Sequence, residues 1–386
     1  MSGPLQYPII SDVLCIIGTC HASWHVSGIT GSCAHRSDGN QQAMTNHNRA
    51  RLVALDWGTS SCRAYLMGEG GVVLSERREQ SGVMAVTTRA AASGTPYELA
   101  FGQTFEALCG DWLGSQPGLP VIACGMVGSN QGWVEAEYRP VPTDLAANGI
   151  VLTPVRTRAG TTVHIIPGLI VNSALPGVIR GEETQILGAL LGDLRAGTLD
   201  CAADRVVLLP GTHSKWVRIT GTTVTDFTTC MTGEFYALLT TDSTLSRLAA
   251  HADRPDWDAF DRGLAIAASP TGHAGILNTA FSARTLVMTG QLTPDQVEDY
   301  LSGLLIGHEL AGIATSWLGD TTNPILLCGN PKLNDRYRRA LETLDIPVEL
   351  GVGNCAAAGM WHVADVTGLI HGLGHELSDH SANRST

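Results

Sequence analysis

Two strand–turn–strand segments that read almost as copies of each other constrain this chain more than any other feature. In the first, Leu52-Val53-Ala54-Leu55 runs into Asp56-Trp57-Gly58-Thr59-Ser60-Ser61 and resumes as Cys62-Arg63-Ala64-Tyr65-Leu66-Met67. In the second, Val206-Val207-Leu208-Leu209 runs into Pro210-Gly211-Thr212-His213-Ser214-Lys215 and resumes as Trp216-Val217-Arg218-Ile219. Glycine lets a backbone turn sharply and approach an anion, while Thr and Ser hydroxyls and turn N–H groups donate to phosphate oxygens. One such hairpin in each half predicts a nucleotide held between two similar α/β units, which points to phosphoryl-transfer chemistry.

The surrounding pattern repeats as well. Gly68-Glu69-Gly70-Gly71 turns the first hairpin into a third strand, Val72–Arg77, and Thr220-Gly221 does the same for Thr223–Cys230. Helical spacing of apolar residues follows over Pro96–Leu113, then a short buried strand Val121–Cys124 ending in Gly125-Met126-Val127-Gly128-Ser129. In the second half, helices are expected at Glu234–Leu248, Trp257–Ala268, Ile276–Val287 and Pro294–Leu318. A strand Ile325–Cys328 then turns at Gly329-Asn330 into a helix from Lys332, and Val348–Leu350 and Cys355–Ala364 close the pattern. Three strands, helix, strand, occurring twice, is an α/β order unlike the regular alternation of a Rossmann protein.

The expected organisation is a foreign-looking extension or disordered tail over 1–43, a first unit over 44–200, a second over 201–370 and a polar tail over 371–386. Residues 1–43 are rich in Ser, Gly, His and Cys, and a clean strand begins shortly after Met44, the expected natural start.

At 386 residues, with 44% hydrophobic and 16% charged residues, the chain is long enough for two cores. A formal charge of −12 argues against nucleic-acid or anionic-membrane partners. No apolar stretch has the length of a membrane span. The ten cysteines are scattered without zinc spacing, as expected of buried reduced thiols in a cytoplasmic protein. His21/His25 and His371/His375 have helical spacing but no acidic partner, and no metal is assigned to them.

No Walker sequence is present, so by that signal this is not a P-loop enzyme, and the competing phosphate signal is Asp56-Trp57-Gly58-Thr59-Ser60-Ser61. Asp56, at a strand end beside Gly58-Thr59-Ser60, is placed to hold Mg²⁺ next to a transferring phosphate. Asp-x-Gly-Thr also occurs in ordinary turns, and its pairing with Gly211-Thr212 makes it informative. Arg180-Gly181-Glu182-Glu183-Thr184-Gln185 opens a helix with two acids in its first turn. Helix-terminal charge alone accounts for such a pattern, but phosphoryl transfer to an alcohol also needs a carboxylate to take the hydroxyl proton. His213, Lys215 and Arg63 follow the turns and can meet a γ-phosphate or a carboxylate. Gly329-Asn330 is a strand-end turn suited to lie against adenine or ribose.

These strings, in this order, resemble the sugar kinase branch of the actin-like ATPase superfamily, and within it the 2-dehydro-3-deoxygalactonokinase family. The resemblance runs from about Arg51 to Ala364. It is carried by Leu55-Asp56-Trp57-Gly58-Thr59, Gly125-Met126-Val127-Gly128-Ser129-Asn130, Ile166-Pro167-Gly168-Leu169, Arg180-Gly181-Glu182-Glu183-Thr184-Gln185, Pro210-Gly211-Thr212-His213-Ser214-Lys215-Trp216, Met231-Thr232-Gly233-Glu234 and Leu301-Ser302-Gly303-Leu304. It implies two duplicated ribonuclease-H-like (actin-like ATPase) domains, over 44–200 and 201–370, around an inter-domain cleft. It also implies ATP- and Mg²⁺-dependent phosphorylation of the C6 hydroxyl of 2-dehydro-3-deoxy-D-galactonate in galactonate catabolism. Carried over, Asp56 sits near Mg²⁺, and Gly58, Thr59, Ser60, Gly211, Thr212, His213, Gly329 and Asn330 bind nucleotide. Glu182 is the proton acceptor; related sugar kinases usually carry Asp there, and Glu183 is equally allowed. Arg180, Arg63 and Lys215 are the partners for the acceptor's carboxylate, and Ser129 and Asn130 for its hydroxyls. The implied partner is a small-molecule sugar acid, with a homodimer allowed. Alternatives are a kinase for another sugar or sugar acid, a phosphatase-like relative, or a nucleotide switch.

Overall fold

The computed structural model describes residues 49–197, 200, 202–313, 317–318, 323–351 and 355–371. The expected extension and all of the tail beyond residue 371 lie outside them. The first half opens with β1 (Ala50–Trp57), β2 (Cys62–Gly68) and β3 (Val73–Glu79), followed by α1 (Val83–Ser93), α2 (Tyr97–Ser115) and β4 (Val121–Cys124). Six short strands come next: β5 (Tyr138–Pro140), β6 (Thr143–Asp144), β7 (Thr153–Arg156), β8 (Thr162–Ile165), β9 (Gly168–Val171) and β10 (Gly177–Ile179), then α3 (Glu182–Ala196). The second half has β11 (Asp204–Leu209), β12 (Ser214–Thr220), β13 (Thr223–Cys230), α4 (Thr232–Thr241), α5 (Trp257–Ala268), α6 (Ile276–Thr279), α7 (Ser282–Met288) and α8 (Val297–Ile313). It closes with β14 (Ile325–Leu327), α9 (Pro331–Glu342), β15 (Val348–Leu350) and α10 (Cys355–Val366).

Five strands of each six-stranded sheet share an order, β3-β2-β1-β4-β8 and β13-β12-β11-β14-β15, while the sixth strands, β7 and β6, lie at opposite edges. One sheet runs β3-β2-β1-β4-β8-β7 and the other β15-β14-β11-β12-β13-β6. In each, a three-strand antiparallel meander is joined through its first strand to parallel partners, β1 with β4 and β11 with β14. One strand crosses the expected boundary near residue 200: β6 pairs with β13 in the second sheet.

Alternation along the strands sorts side chains onto two faces. Leu52, Ala54, Tyr65 and Ile122 from the first sheet and Val207, Val217, Val224 and Leu326 from the second share one core with α3 and α10. The outer face of the first sheet packs on α1 and α2 through Val53, Leu55, Phe101 and Phe105. The outer face of the second packs on α5, α8 and α9 through Leu208, Trp216, Phe260 and Tyr337. Helices α3 and α10 thus form a layer between the sheets. They touch backbone to backbone: a Cβ on Gly188 would stand 1.8 Å from Cys355 O, and one on Gly359 would stand 2.0 Å from Thr184 O.

The helix expected at Glu234–Leu248 stops at Thr241. Thr240, Ser243 and Ser246 hydroxyls donate to the carbonyls of Tyr236, Leu239 and Thr241, offering the backbone an alternative to continuing the helix. The helix expected at Ile276–Val287 is broken into α6 and α7. Among the described residues no helix is long and apolar enough to cross a membrane. The described cysteines form no disulfide, and Cys62, Cys109, Cys124 and Cys328 are buried.

Candidate active site

Both Gly-Thr turns are seated on the N-terminus of a following helix in the same way. In the first, the N–H groups of Val83 and Met84 at the start of α1 donate to Gly58 O (3.0 Å) and Thr59 O (3.1 Å). A Cβ on Gly82 would lie 2.3 Å from Thr59 O. In the second, the Glu234 N–H in the first turn of α4 donates to Thr212 O (2.9 Å), and a Cβ on Gly233 would lie 2.3 Å from Gly211 O. Each turn therefore needs a glycine beneath it, and each leaves its hydroxyl residues facing outward. Thr59, Ser60, Thr212 and His213 are all exposed. His213 also pairs with Glu234 through Nε2. Trp57 fixes the first turn from inside, donating Nε1–H to Ser81 O (2.9 Å) and packing edge-on against Phe101 and Trp133.

Asp56 is half-buried in a row of residues that run directly across four strands. It pairs in register with Cys124 on β4 and Arg63 on β2, and Arg63 pairs with Arg78 on β3. Burial pushes the Asp56 carboxyl up, Arg63 opposes this, Glu182 adds to it and Arg78 opposes it. Arg78, which the sequence reading passed over, is thus a second guanidinium of this row. Among the described residues no group of three His, Cys, Asp or Glu is arranged to hold a metal ion. A lone carboxylate suits Mg²⁺, which is commonly held by one or two carboxylates plus substrate phosphates.

The two acids of α3 are brought to Asp56 by two glycines. Gly125, at the end of β4, has φ +93°, and Gly181, before α3, has φ +105°, conformations that L side chains rarely adopt. A Cβ on Gly181 would lie 3.0 Å from Gly125 Cα, so the two turns are in contact. The adjacent acids then meet different environments. Glu182 Oε2 accepts the Arg180 N–H (2.9 Å), and Oε1 lies 3.1 Å from Lys215 Nζ. Glu183 is buried: Oε2 accepts the Gly181 N–H (2.7 Å), and Oε1 accepts the Thr184 hydroxyl (2.9 Å). Burial first, and then the charge of Glu182, push the Glu183 carboxyl up to about 7.

Lys215 belongs to the second turn. Its ammonium donates to His213 O (2.8 Å) and faces Glu182, so this buried lysine ties the second turn to the start of α3. Arg180 is enclosed. Nη2 donates to Ala136 O (2.6 Å), Nε to Tyr138 Oη (3.3 Å), and the guanidinium lies 4.0 Å over the Tyr138 ring. Its Nη1 is buried without a partner close under Gly128. Ser129 is buried and donates to Met126 O (2.8 Å), whereas Asn130 is exposed beside it. Gly329 and Asn330 follow β14 next to Pro210, and Asn330 Oδ1 caps α9 by accepting the Lys332 N–H (2.9 Å). The first-half residues Asp56, Gly58, Glu182 and Glu183 and the second-half residues Gly211, Lys215 and Gly329 thus lie at the carboxyl ends of β1, β11 and β14 or at the α3 start that meets them.

The family model described as 2-keto-3-deoxy-galactonokinase matches residues 56–363. The chain belongs to this family. A Rhizobium meliloti (strain 1021) protein assigned as a 2-dehydro-3-deoxygalactonokinase is 36% identical over 300 residues, covering 77% of this chain and 90% of the relative. The Escherichia coli (strain K12) 2-dehydro-3-deoxygalactonokinase is 33% identical over 317 residues, covering 82% and 98%. The crystal structure of a Sinorhizobium meliloti protein assigned the same activity aligns with a TM-score of 0.69 at 34% identity, covering 81% of this chain and 98% of that one. The matched range, residues 56–363, takes in both Gly-Thr turns and the α3 acids.

Proposed function

We propose that this chain transfers the γ-phosphoryl group of ATP to the C6 hydroxyl of 2-dehydro-3-deoxy-D-galactonate, giving the 6-phosphate. The observation that carries the reading is family membership over residues 56–363, and the ion pair between Glu182 and Lys215 gives it a chemical centre. The two sheets of like order are read as the cores of duplicated ribonuclease-H-like domains, over 44–200 and 201–370, with the reaction in the cleft between them. A cytoplasmic location, where ATP is made available, suits the reading.

Glu182 is the proton acceptor in this account. Its carboxylate is held by a backbone N–H on one side and lies beside the Lys215 ammonium on the other, so it is oriented before substrate arrives. Glu183 is a support: its two hydrogen bonds fix Gly181 and the first turn of α3. Gly58, Thr59, Ser60, Gly211, Thr212 and His213 bind phosphates, and Gly329 and Asn330 border the nucleoside. Asp56 would hold Mg²⁺, which would supply neutralisation of the phosphate charge. Arg63 and Lys215 are assigned to the acceptor carboxylate or the transferred phosphoryl, while enclosed Arg180 acts through the loop that carries Glu182. Ser129 and Asn130 line the sugar hydroxyls. Phosphorus NMR of the product, with coupling to the C6 protons, tests the regiochemistry; a phosphate ester at another carbon contradicts it.

A further inference from the structure

Glu309 is an acid in an apolar helical stretch, Leu304-Leu305-Ile306-Gly307-His308-Glu309-Leu310, and it is 7% exposed. A carboxylate shut away from water is stable only when its oxygens are fully hydrogen-bonded. Four donors converge on this one: Ser214 Oγ (2.8 Å) and Trp216 Nε1 (2.7 Å) on Oε1, and Tyr337 Oη (2.6 Å) and Thr232 Oγ1 on Oε2. Their placement is informative. Ser214 opens β12 immediately after Thr212-His213, and Trp216 follows on the same strand. Thr232 opens α4, whose next two residues are Gly233, packed beneath Gly211 O, and Glu234, whose N–H holds Thr212 O. Tyr337 comes from α9, the helix that starts at the Gly329-Asn330 turn.

One carboxylate therefore joins the strand that leaves the second Gly-Thr turn, the helix that supports it and the helix that begins beside it. Well-packed apolar residues fill such a core at equal or lower cost than a buried charge. A directional four-way acceptor instead fixes spacing. We propose that Glu309 is a positioning residue of the nucleotide site, setting the distance between the Pro210–His213 turn and the N-terminus of α4 so that the turn meets the phosphates. The proposal rests on the reading that this turn holds nucleotide phosphate. Glu309 itself touches no ligand.

Glu309→Gln is the test, because an amide nitrogen cannot accept two of the four hydrogen bonds. The expected result is a KM for ATP and a calorimetric Kd for ADP each raised about tenfold, the scale of one charged hydrogen bond lost. The KM for the sugar acid stays unchanged. Ser214→Ala and Thr232→Val, which each remove one donor, give smaller shifts in the same direction and serve if Glu309→Gln does not fold. The control is Asp299→Asn, at the other end of α8, where a buried carboxylate accepts the Asp256 N–H (2.6 Å) and pairs with Arg336. It should lower thermal stability and leave the ADP affinity alone. Wild-type ADP affinity in folded Glu309→Gln, or in both single-donor variants, overturns the proposal, as does an equal loss in Asp299→Asn. Absence of acceptor-dependent turnover in the wild-type protein would instead sink the kinase reading, and the ADP titrations would still decide the role of Glu309.

Discussion

Glu182 Oε1 and Lys215 Nζ, from the start of α3 and from the second Gly-Thr turn, stand 3.1 Å apart, with the lysine side chain only 8% exposed. An ion pair in that setting is shielded from solvent and salt far more than one on the surface. It joins the candidate proton acceptor at the start of α3 to the second Gly-Thr turn, the candidate phosphate site. Lys215→Met should lower kcat by about 10²-fold, the cost of one electrostatic contact at a transition state. Steady-state kinetics of Lys215→Met, Glu182→Gln and the double variant should show strong non-additivity, with a coupling of roughly 1–3 kcal/mol. Additive losses would mean that the two groups act separately.

The adjacent acids should separate cleanly in kinetics. Glu182→Gln is expected to lose about 10²–10⁴-fold in kcat with little change in either KM, as for a lost general base. In Glu183→Gln the amide oxygen can still accept the Gly181 N–H while the amide nitrogen donates to the Thr184 hydroxyl in reversed sense, so most activity should be retained. The reverse ranking would move the base to Glu183.

The Glu183 carboxyl also predicts a stability profile. In the folded chain burial, and then the charge of Glu182, raise it from 4.5 to about 7. Between those pH values the native state holds a proton that the unfolded chain has released. Its contribution is fully present below about pH 4.5 and is lost as pH rises to about 7, a change of about 3 kcal/mol. Denaturant melts of wild type and Glu183→Gln across this range should show the variant's stability rising relative to wild type with pH. Parallel profiles would contradict the assignment.

The glycines beneath the turns give a paired prediction. A Cβ on either Gly82 or Gly233 would sit 2.3 Å from a turn carbonyl oxygen, so the backbone must move. Gly82→Ala and Gly233→Ala should each cost roughly 1–3 kcal/mol of stability and weaken ADP binding in calorimetry. Unchanged ADP affinity in both would separate the turns from nucleotide binding.

How much of this was legible in the sequence follows from where the signals were strong. The two meanders were readable because apolar runs meet Gly-Thr turns in both, and the bounds of Val121–Cys124, Thr223–Cys230 and Trp257–Ala268 agree with the structure. The short strands from Tyr138 to Ile179 were not, since runs of two to four residues carry no period. Helix α1 was also missed: Val83-Met84-Ala85-Val86-Thr87-Thr88 is rich in β-branched residues, and its burial on the first sheet through Val83, Val86 and Ala90 overrides that local preference. At the site, residue type identified Asp56, Glu182 and Glu183 as candidates. Their different roles depend on contacts with Lys215, Gly181 and Thr184 that only the fold creates. Glu309 had one sequence signal, a lone acid in an apolar helix, and its partners are distant in the chain.

The central claim is phosphorylation of one sugar acid, and acceptor-dependent ADP release tests it most directly. Mg-ATP is supplied with 2-dehydro-3-deoxy-D-galactonate, with its gluconate epimer, or with no acceptor, and ADP is followed by a coupled assay. The account predicts rapid turnover with the galactonate acid, little with the epimer and almost none without acceptor. Equal ADP release in all three would contradict it and make the chain a nucleotide hydrolase or switch.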